Sequence, residues 1–209
     1  MADTTNLGAY DVIWKTPSAN SAGSMPIGNG EVVLNAWVEE STGDLLLLIA
    51  RTDALSEISR VLKLGRVRVK FSPSPFQGKD FEQRLRLKEG RIDFKGNGTG
   101  LRLFVDSGSH VIHLAGKFRQ PTKVEAALEI WRDRDRPLPK VDRESAWSVM
   151  DAPFPTVESA DVVLPGDSQL AWYHTNATSV VPKLWENQSL TGLPGTFDPI
   201  LGRTFGGVI

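Results

Sequence analysis

The sequence predicts an all-β fold: an antiparallel sandwich of two sheets with few short helical turns. Three observations predict it. Apolar and polar residues alternate with a period of two through most of the chain, as strands with one buried face require. The alternating segments number about ten to twelve, are short, and are separated by Gly, Pro, Asn and Asp breaks at the spacing of a sandwich or barrel. No sustained apolar period of 3.6 residues appears, and the helical turns the pattern allows lie only near 54–60 and 183–188.

A first aromatic strand ends at Trp14. Met25-Pro26-Ile27-Gly28-Asn29-Gly30 then makes a rigid polar corner, since proline fixes its entry and glycine reaches positive φ. Such a corner either presents the Asn29 carboxamide to a ligand or is simply a tight turn. Strands follow at 31–38 and, past Ser41-Thr42-Gly43, at 44–50. Leu45-Leu46-Leu47-Leu48-Ile49 is apolar on both sides and is therefore expected in the middle of a sheet covered on both faces. Arg66-Val67-Arg68-Val69-Lys70-Phe71 and the segment 80–88 each divide into a basic and an apolar face. Glu89-Gly90 turns the latter into 91–95, a hairpin.

Gly96-Asn97-Gly98-Thr99-Gly100 makes the next turn; no helix pattern follows it, as a phosphate loop would need. Further strands are expected at 101–106, 110–115, 123–131, 145–149 and 169–175. The charged, proline-bearing 132–139 and the proline-rich 151–165 read as long surface loops. Past Thr175 the pattern loosens through Pro182, Pro194 and Pro199. Residues 1–180 are thus expected to form the sandwich, and 181–209 a wrapped tail or the start of a linker. No repeat of 20 to 50 residues points to a solenoid or propeller.

The 209 residues, 40% hydrophobic and 23% charged, are enough for one large or two small β domains. A net charge of -1 gives no global field toward nucleic acid or an anionic membrane. The basic rows Arg66, Arg68, Lys70 and Arg84, Arg86, Lys88 carry no interleaved aromatics and read as a solvated outer sheet face. Without cysteine there are no disulfides, no thiol catalysis and no cysteine-ligated zinc. No run of 18 apolar residues is present. The first residues lack the basic and apolar regions of a signal peptide, and the chain stops on apolar Ile209, so it is expected to be a piece of something longer.

Chemistry is sparse. His110 and His113, three apart on a strand, face opposite sides and cannot chelate one ion together, and no metal or cofactor is expected. Trp172, His174 and Asn176 share one face of a strand. An indole covering a pyranose beside two hydrogen-bonding groups suits sugar recognition, and a core aromatic beside a hydrogen-bonded histidine fits equally. Asp53 and Glu57, four apart, would share a face of a helical turn. Two carboxylates are what glycoside hydrolysis needs, while a helix cap or an ion pair with Arg51 or Arg60 is the structural reading.

These segments resemble, in order, the opening of bacterial inverting α-L-fucosidases and related glycoside hydrolases: Trp14, then the 25–30 corner, then an Asp53-centred element. That third element, Arg51-Thr52-Asp53-Ala54-Leu55-Ser56-Glu57, lacks the asparagine and tryptophan of the Asn-x-Asp-Thr-Leu-Trp-like motif. A closer resemblance is to bacterial domains of unknown function at the N-terminus of glycoside-hydrolase-like proteins. It is carried by residues 23–30, 51–57, 62–69, Trp-Tyr-His-x-Asn at 172–176 and Leu-Gly-Arg-Thr-Phe-Gly at 201–206.

The resemblance implies a galactose-mutarotase-like β-supersandwich preceding an (α/α)6 barrel that bears the general acid and base. It implies carbohydrate and that absent C-terminal domain as partners, neither nucleic acid nor membrane, and export from a bacterium. Asn29, Asp53, Glu57, His174 and Asn176 then become candidates for the pocket rim or the barrel-facing surface, with Trp172 beside them. The chain alone should lack turnover. Two other readings are a self-sufficient carbohydrate-binding module, resting on Trp172, and a sugar epimerase, which needs a histidine and a carboxylate facing each other across a cleft.

Overall fold

A computed structural model describes residues 6–146 and 149–209. It is mostly strand, and the chain divides into two compact units. One comprises Met1–Thr52 and Gly65–Glu129, the other Asp53–Leu64 and Ile130–Ile209.

The first unit is a sandwich of two five-stranded antiparallel sheets. One has the order β1 (Val12–Trp14), β6 (Glu82–Arg86), β7 (Arg91–Gly96), β8 (Thr99–Val105), β9 (Ile112–Lys117). The other runs β10 (Lys123–Glu129), β5 (Val61–Ser72), β4 (Leu45–Leu55), β3 (Val32–Val38), β2 (Met25–Gly28). The expected all-β two-sheet sandwich is therefore what forms. Period-two burial is plain in β8, where Thr99, Leu101, Leu103 and Val105 are buried while Gly100 and Arg102 are exposed. The all-apolar run Leu45–Ile49 lies in β4, third of five strands, with Leu45, Leu46, Leu47 and Ile49 buried, as a doubly covered strand should be.

Between the sheets, Phe76 is fully buried and meets Phe71 of β5 and Phe94 of β7, with Phe81 edge-on at 6.0 Å. Aromatic pairs in such arrangements add about 1 kcal/mol each beyond their buried area. A side-chain bond from Gln83 Nε2 to the Ala36 carbonyl, 3.2 Å, ties β6 to β3 through the apolar layer. The basic rows are not simply solvated. Arg68 is clasped by Glu39, Asp44 and Glu129, while Arg84 and Arg86 reach Asp11 and Asp93.

The second unit has less regular structure. It holds residues 53–64 of β4 and β5 with the turn between them. A two-stranded ribbon joins β11 (Arg136–Pro137) to β12 (Val157–Glu158). A three-stranded antiparallel sheet has the order β13 (Val162–Pro165), β14 (Leu170–Thr175), β15 (Thr204–Val208). Two short helices, α1 (Lys140–Arg143) and α2 (Val181–Asn187), complete it. Ile58, Leu138, Ala146, Val149 and Val180 form its apolar core, with Phe154 and Leu184 packed against them.

Three local expectations change here. Residues 54–60 form no helical turn. β4 continues to Leu55, and a tight turn through Ser56–Ser59, with Ser59 at φ 64°, returns the chain into β5. Ser59 N donates to Ser56 O at 2.8 Å, and Ser56 N to Arg60 O at 2.9 Å. The strand expected at 145–149 does not form at residues 145, 146 and 149, which are turn, bend and 3-10 respectively; 147 and 148 lie outside the described residues. The supposed surface loops 132–139 and 151–165 instead supply Arg132, Glu158 and Asp161, three of the most deeply buried charges in the unit. The expected helical turn near 183–188 is present as α2, and the 181–209 segment also contributes β15.

Candidate functional site

β14 places Trp172, His174 and, one step past its end, Asn176 on one face, as the alternation of the sequence requires. That face is turned into the second unit: Trp172 is 3% exposed, His174 1% and Asn176 not at all. The Trp172 indole N–H donates to the Leu64 carbonyl at 2.7 Å. Asn176 Nδ2 donates to the carbonyls of Leu55 (2.8 Å) and Ile200 (3.1 Å), and so fastens the end of β4 to the segment before β15. Close packing of β15 on Trp172 needs glycine: a Cβ at Gly207 would lie 2.6 Å from the indole, and one at Gly206 2.0 Å from the Trp172 carbonyl oxygen.

His174 is the centre of a buried ionic chain. Its Nδ1 meets Asp161 Oδ1 at 3.0 Å and its Nε2 faces Glu57 Oε1 at 3.4 Å. Asp161 in turn accepts two bonds of 2.8 Å from Arg132, Nε to Oδ1 and Nη2 to Oδ2, the planar fork matching the carboxylate. The imidazole also stacks on Phe205 of β15, centroids 5.3 Å apart. Burial works against a charged imidazole. The hydrogen bond to Asp161 and the ion pair with Glu57 outweigh that penalty and hold the His174 pKa up at about 9. Burial likewise pushes the Glu57 carboxyl upward, but the His174 ion pair and the Ser159 amide overcome it and leave Glu57 below its ordinary value. Glu57, His174, Asp161 and Arg132 thus form a buried row of alternating acidic and basic groups, with His174 protonated at neutral pH. A second buried pair lies in the same unit, where Arg60 grips Glu158 with Nη2 at 3.0 and 2.9 Å from its two oxygens.

At the surface of this unit an open groove of about 450 Å3 is lined by Ser59, Arg60, Lys63, Trp131, Arg132 and Ser145 among others. Trp131 is 46% exposed, and the Arg132 guanidinium sits 5.7 Å from its ring centroid. The buried ionic chain therefore ends directly under an accessible aromatic surface.

Over residues 13–209 the chain matches the model of a family described as "Domain of unknown function (DUF5703)". The chain belongs to this family. No curated protein matches it.

The other candidates of this DUF5703 domain fall apart in space or in role. Asn29 stands in the first unit, where its carboxamide is fully engaged. Nδ2 donates to the carbonyls of Asp106 (2.8 Å) and Ser109 (2.9 Å), and Oδ1 accepts from the amides of Glu31 (3.0 Å) and Val32 (2.9 Å). The 25–30 corner is mostly strand, since Met25–Gly28 is β2, and only Asn29 and Gly30 within it leave the strand, the latter at φ 97°. Asp53 is exposed on the strand β4, and its backbone carbonyl accepts from Arg203 Nη1 at 2.9 Å. Asp53 and Glu57 do not share a helical face, because no helix forms and Glu57 turns inward.

His110 bonds Glu31, and His113 stacks on Phe104 at 4.8 Å, so the two histidines engage different partners. Among the described residues no cluster of histidines and carboxylates could hold a metal ion, and no helix is long and apolar enough to cross a membrane. Sequence reasoning missed Trp131, Arg132, Asp161 and Lys63. The available signal was the Trp131-Arg132 pair at the end of an alternating strand, masked by the charged residues after it.

Proposed function

We propose that this domain is a non-catalytic sandwich module of a glycoside-hydrolase-like protein. It supports an (α/α)6 catalytic barrel carried elsewhere in the polypeptide and helps to shape that barrel's carbohydrate pocket. The observation that carries this reading is the fate of Glu57, Trp172, His174 and Asn176. All four are buried in the second unit and engage its backbone or one another.

Glycosidases need two carboxylates separated by about 5 to 9.5 Å across space for the scissile bond. Here Glu57 and Asp161 lie against opposite nitrogens of one buried imidazole, and the ring fills the space a scissile bond would need. Such an arrangement stiffens a scaffold and leaves bond cleavage to groups outside it. The exposed Asp53 of the second unit is then part of the surface available to the barrel. In this reading the whole protein works on carbohydrate outside the bacterial cytoplasm.

The test compares two polypeptides on a panel of aryl glycosides: these 209 residues, and the same chain continued through its next domain. The reading expects turnover from the longer polypeptide only. Hydrolysis by the 209 residues at enzymatic rates, lost on Glu57→Gln, is the opposite result and overturns it.

A self-sufficient carbohydrate-binding module is the second reading, and the exposed Trp131 favours it. The buried Trp172 does not serve as its platform, because the indole has no face open to a ring. The epimerase reading asks for a histidine and a carboxylate across an open cleft, whereas the carboxylates at His174 touch it directly, in the interior.

A further inference from the structure

We infer that the groove beside Trp131 is a binding subsite for a carboxylated sugar ring, a uronic acid residue within a polysaccharide. The inference rests on the carbohydrate reading above and gives it a ligand class and a location.

Three features of the groove carry it. The first is the aromatic surface. Trp131 is the exposed tryptophan of the second unit's groove, and a flat indole beside an open trough suits the apolar face of a pyranose better than it suits a compact apolar ligand, which asks for enclosure. The second is rigidity. Trp131 packs on Arg132, which is only 3% exposed and is fixed by two bonds to Asp161. Asp161 is itself held by His174. A platform fixed in advance loses little side-chain freedom on binding.

The third is charge. The groove lining holds three cations, Arg60, Lys63 and Arg132, and no carboxylate. Glu158 neutralises Arg60 from behind and Asp161 neutralises Arg132, both carboxylates being buried. Lys63 is exposed and forms no ion pair with the described residues, so its charge is the one left over in the groove. An ammonium on a flexible stem next to an indole complements a ring with one apolar face and one carboxylate. In the same lining the Ser59 hydroxyl can donate to or accept from ring hydroxyls, and Ser145, whose proton goes to the Asp142 carbonyl at 2.8 Å, can accept. A groove of about 450 Å3 lies within the roughly 300–1,000 Å3 of small-ligand sites.

The experiment is isothermal titration of the 209-residue chain with de-esterified oligogalacturonides and oligoglucuronides, each paired with its methyl-esterified form. Saturable binding of at least one acidic oligomer is expected, weakened at least about tenfold by esterification. Lys63→Gln should bring the acidic oligomer down to the esterified level. Trp131→Ala should abolish binding of both forms, and Trp131→Phe should keep part of it. Circular dichroism establishes that each variant is folded, and the exposed Lys63→Gln decides the question if the tryptophan variants are not.

No saturable binding up to about 10 mM overturns the inference, since weaker association than that carries no specificity. Equal binding of acid and ester overturns the uronate assignment. Binding that survives both Lys63→Gln and Trp131→Ala overturns the location. None of these results touches the module reading, which stands or falls on the turnover comparison.

Discussion

Replacing His174 by glutamine, and following stability against pH, measures what the buried ionic chain contributes. In the folded domain the imidazole titrates at about 9, against about 6.5 in an unfolded chain. Between these values the native state holds one more proton than the unfolded state, so stability must fall as pH rises. The contribution is fully present below about pH 6.5 and gone above about pH 9. A difference of some 2.5 units corresponds to about 3 kcal/mol, with no reduction for solvent screening because His174 is 1% exposed. Glu57 acts in the opposite sense. Its lowered pKa gives stability that is present above the ordinary carboxylate value and lost as pH falls through the folded one, so its effect is confined to acid.

The assay is urea unfolding by circular dichroism at unit steps from pH 6 to pH 10, on the wild type and on His174→Gln. At pH 6 the variant should be less stable by about 3–5 kcal/mol, the cost of breaking a buried ion pair. The gap should shrink by about 3 kcal/mol on the way to pH 10. A gap that stays constant within about 0.5 kcal/mol across the whole range refutes a charged His174 and the reasoning built on it.

Asp161→Asn removes the carboxylate that serves both His174 and Arg132. It should cost about 3–5 kcal/mol and lower the thermal midpoint of the 209-residue chain by roughly 10 °C, read by differential scanning calorimetry. Asn29→Ala deletes four hydrogen bonds at the corner of the first unit and should cost about 1–3 kcal/mol in urea unfolding. Asn29→Asp should be no better, because it sets an oxygen against the Asp106 and Ser109 carbonyls. If it is as stable as wild type, the two donated bonds contribute nothing.

The strands were legible because burial on one face writes itself into a period of two. Leu45–Ile49 showed its central place by lacking any polar face. The common face of Trp172, His174 and Asn176 followed from the same alternation. Which side of that face met water did not follow, because an interior with polar partners and a sugar-binding surface use the same residue types. The fate of Glu57 was hidden for a different reason. Five residues of mixed polarity between two strands fit a helical turn as well as a tight hairpin, and only the pairing of β4 with β5 decides between them. Arg132 sits among alternating charges that suit a solvated loop, while its partner Asp161 lies 29 residues away and His174 13 further on. Pairings at that separation are made by tertiary structure and leave no local pattern.

Protonation of His174 at neutral pH is what makes the buried Glu57–His174–Asp161–Arg132 chain a charged interior brace. Long-range 1H–15N NMR of the His174 ring, followed from pH 5 to pH 10 with and without acidic oligosaccharide, tests this directly. The prediction is a doubly protonated imidazole at neutral pH, a titration midpoint near 9, and no change when sugar is added beyond a small shift relayed through Arg132. A neutral ring at pH 7, or a midpoint that moves by a unit or more with ligand, would contradict it and make His174 a working residue.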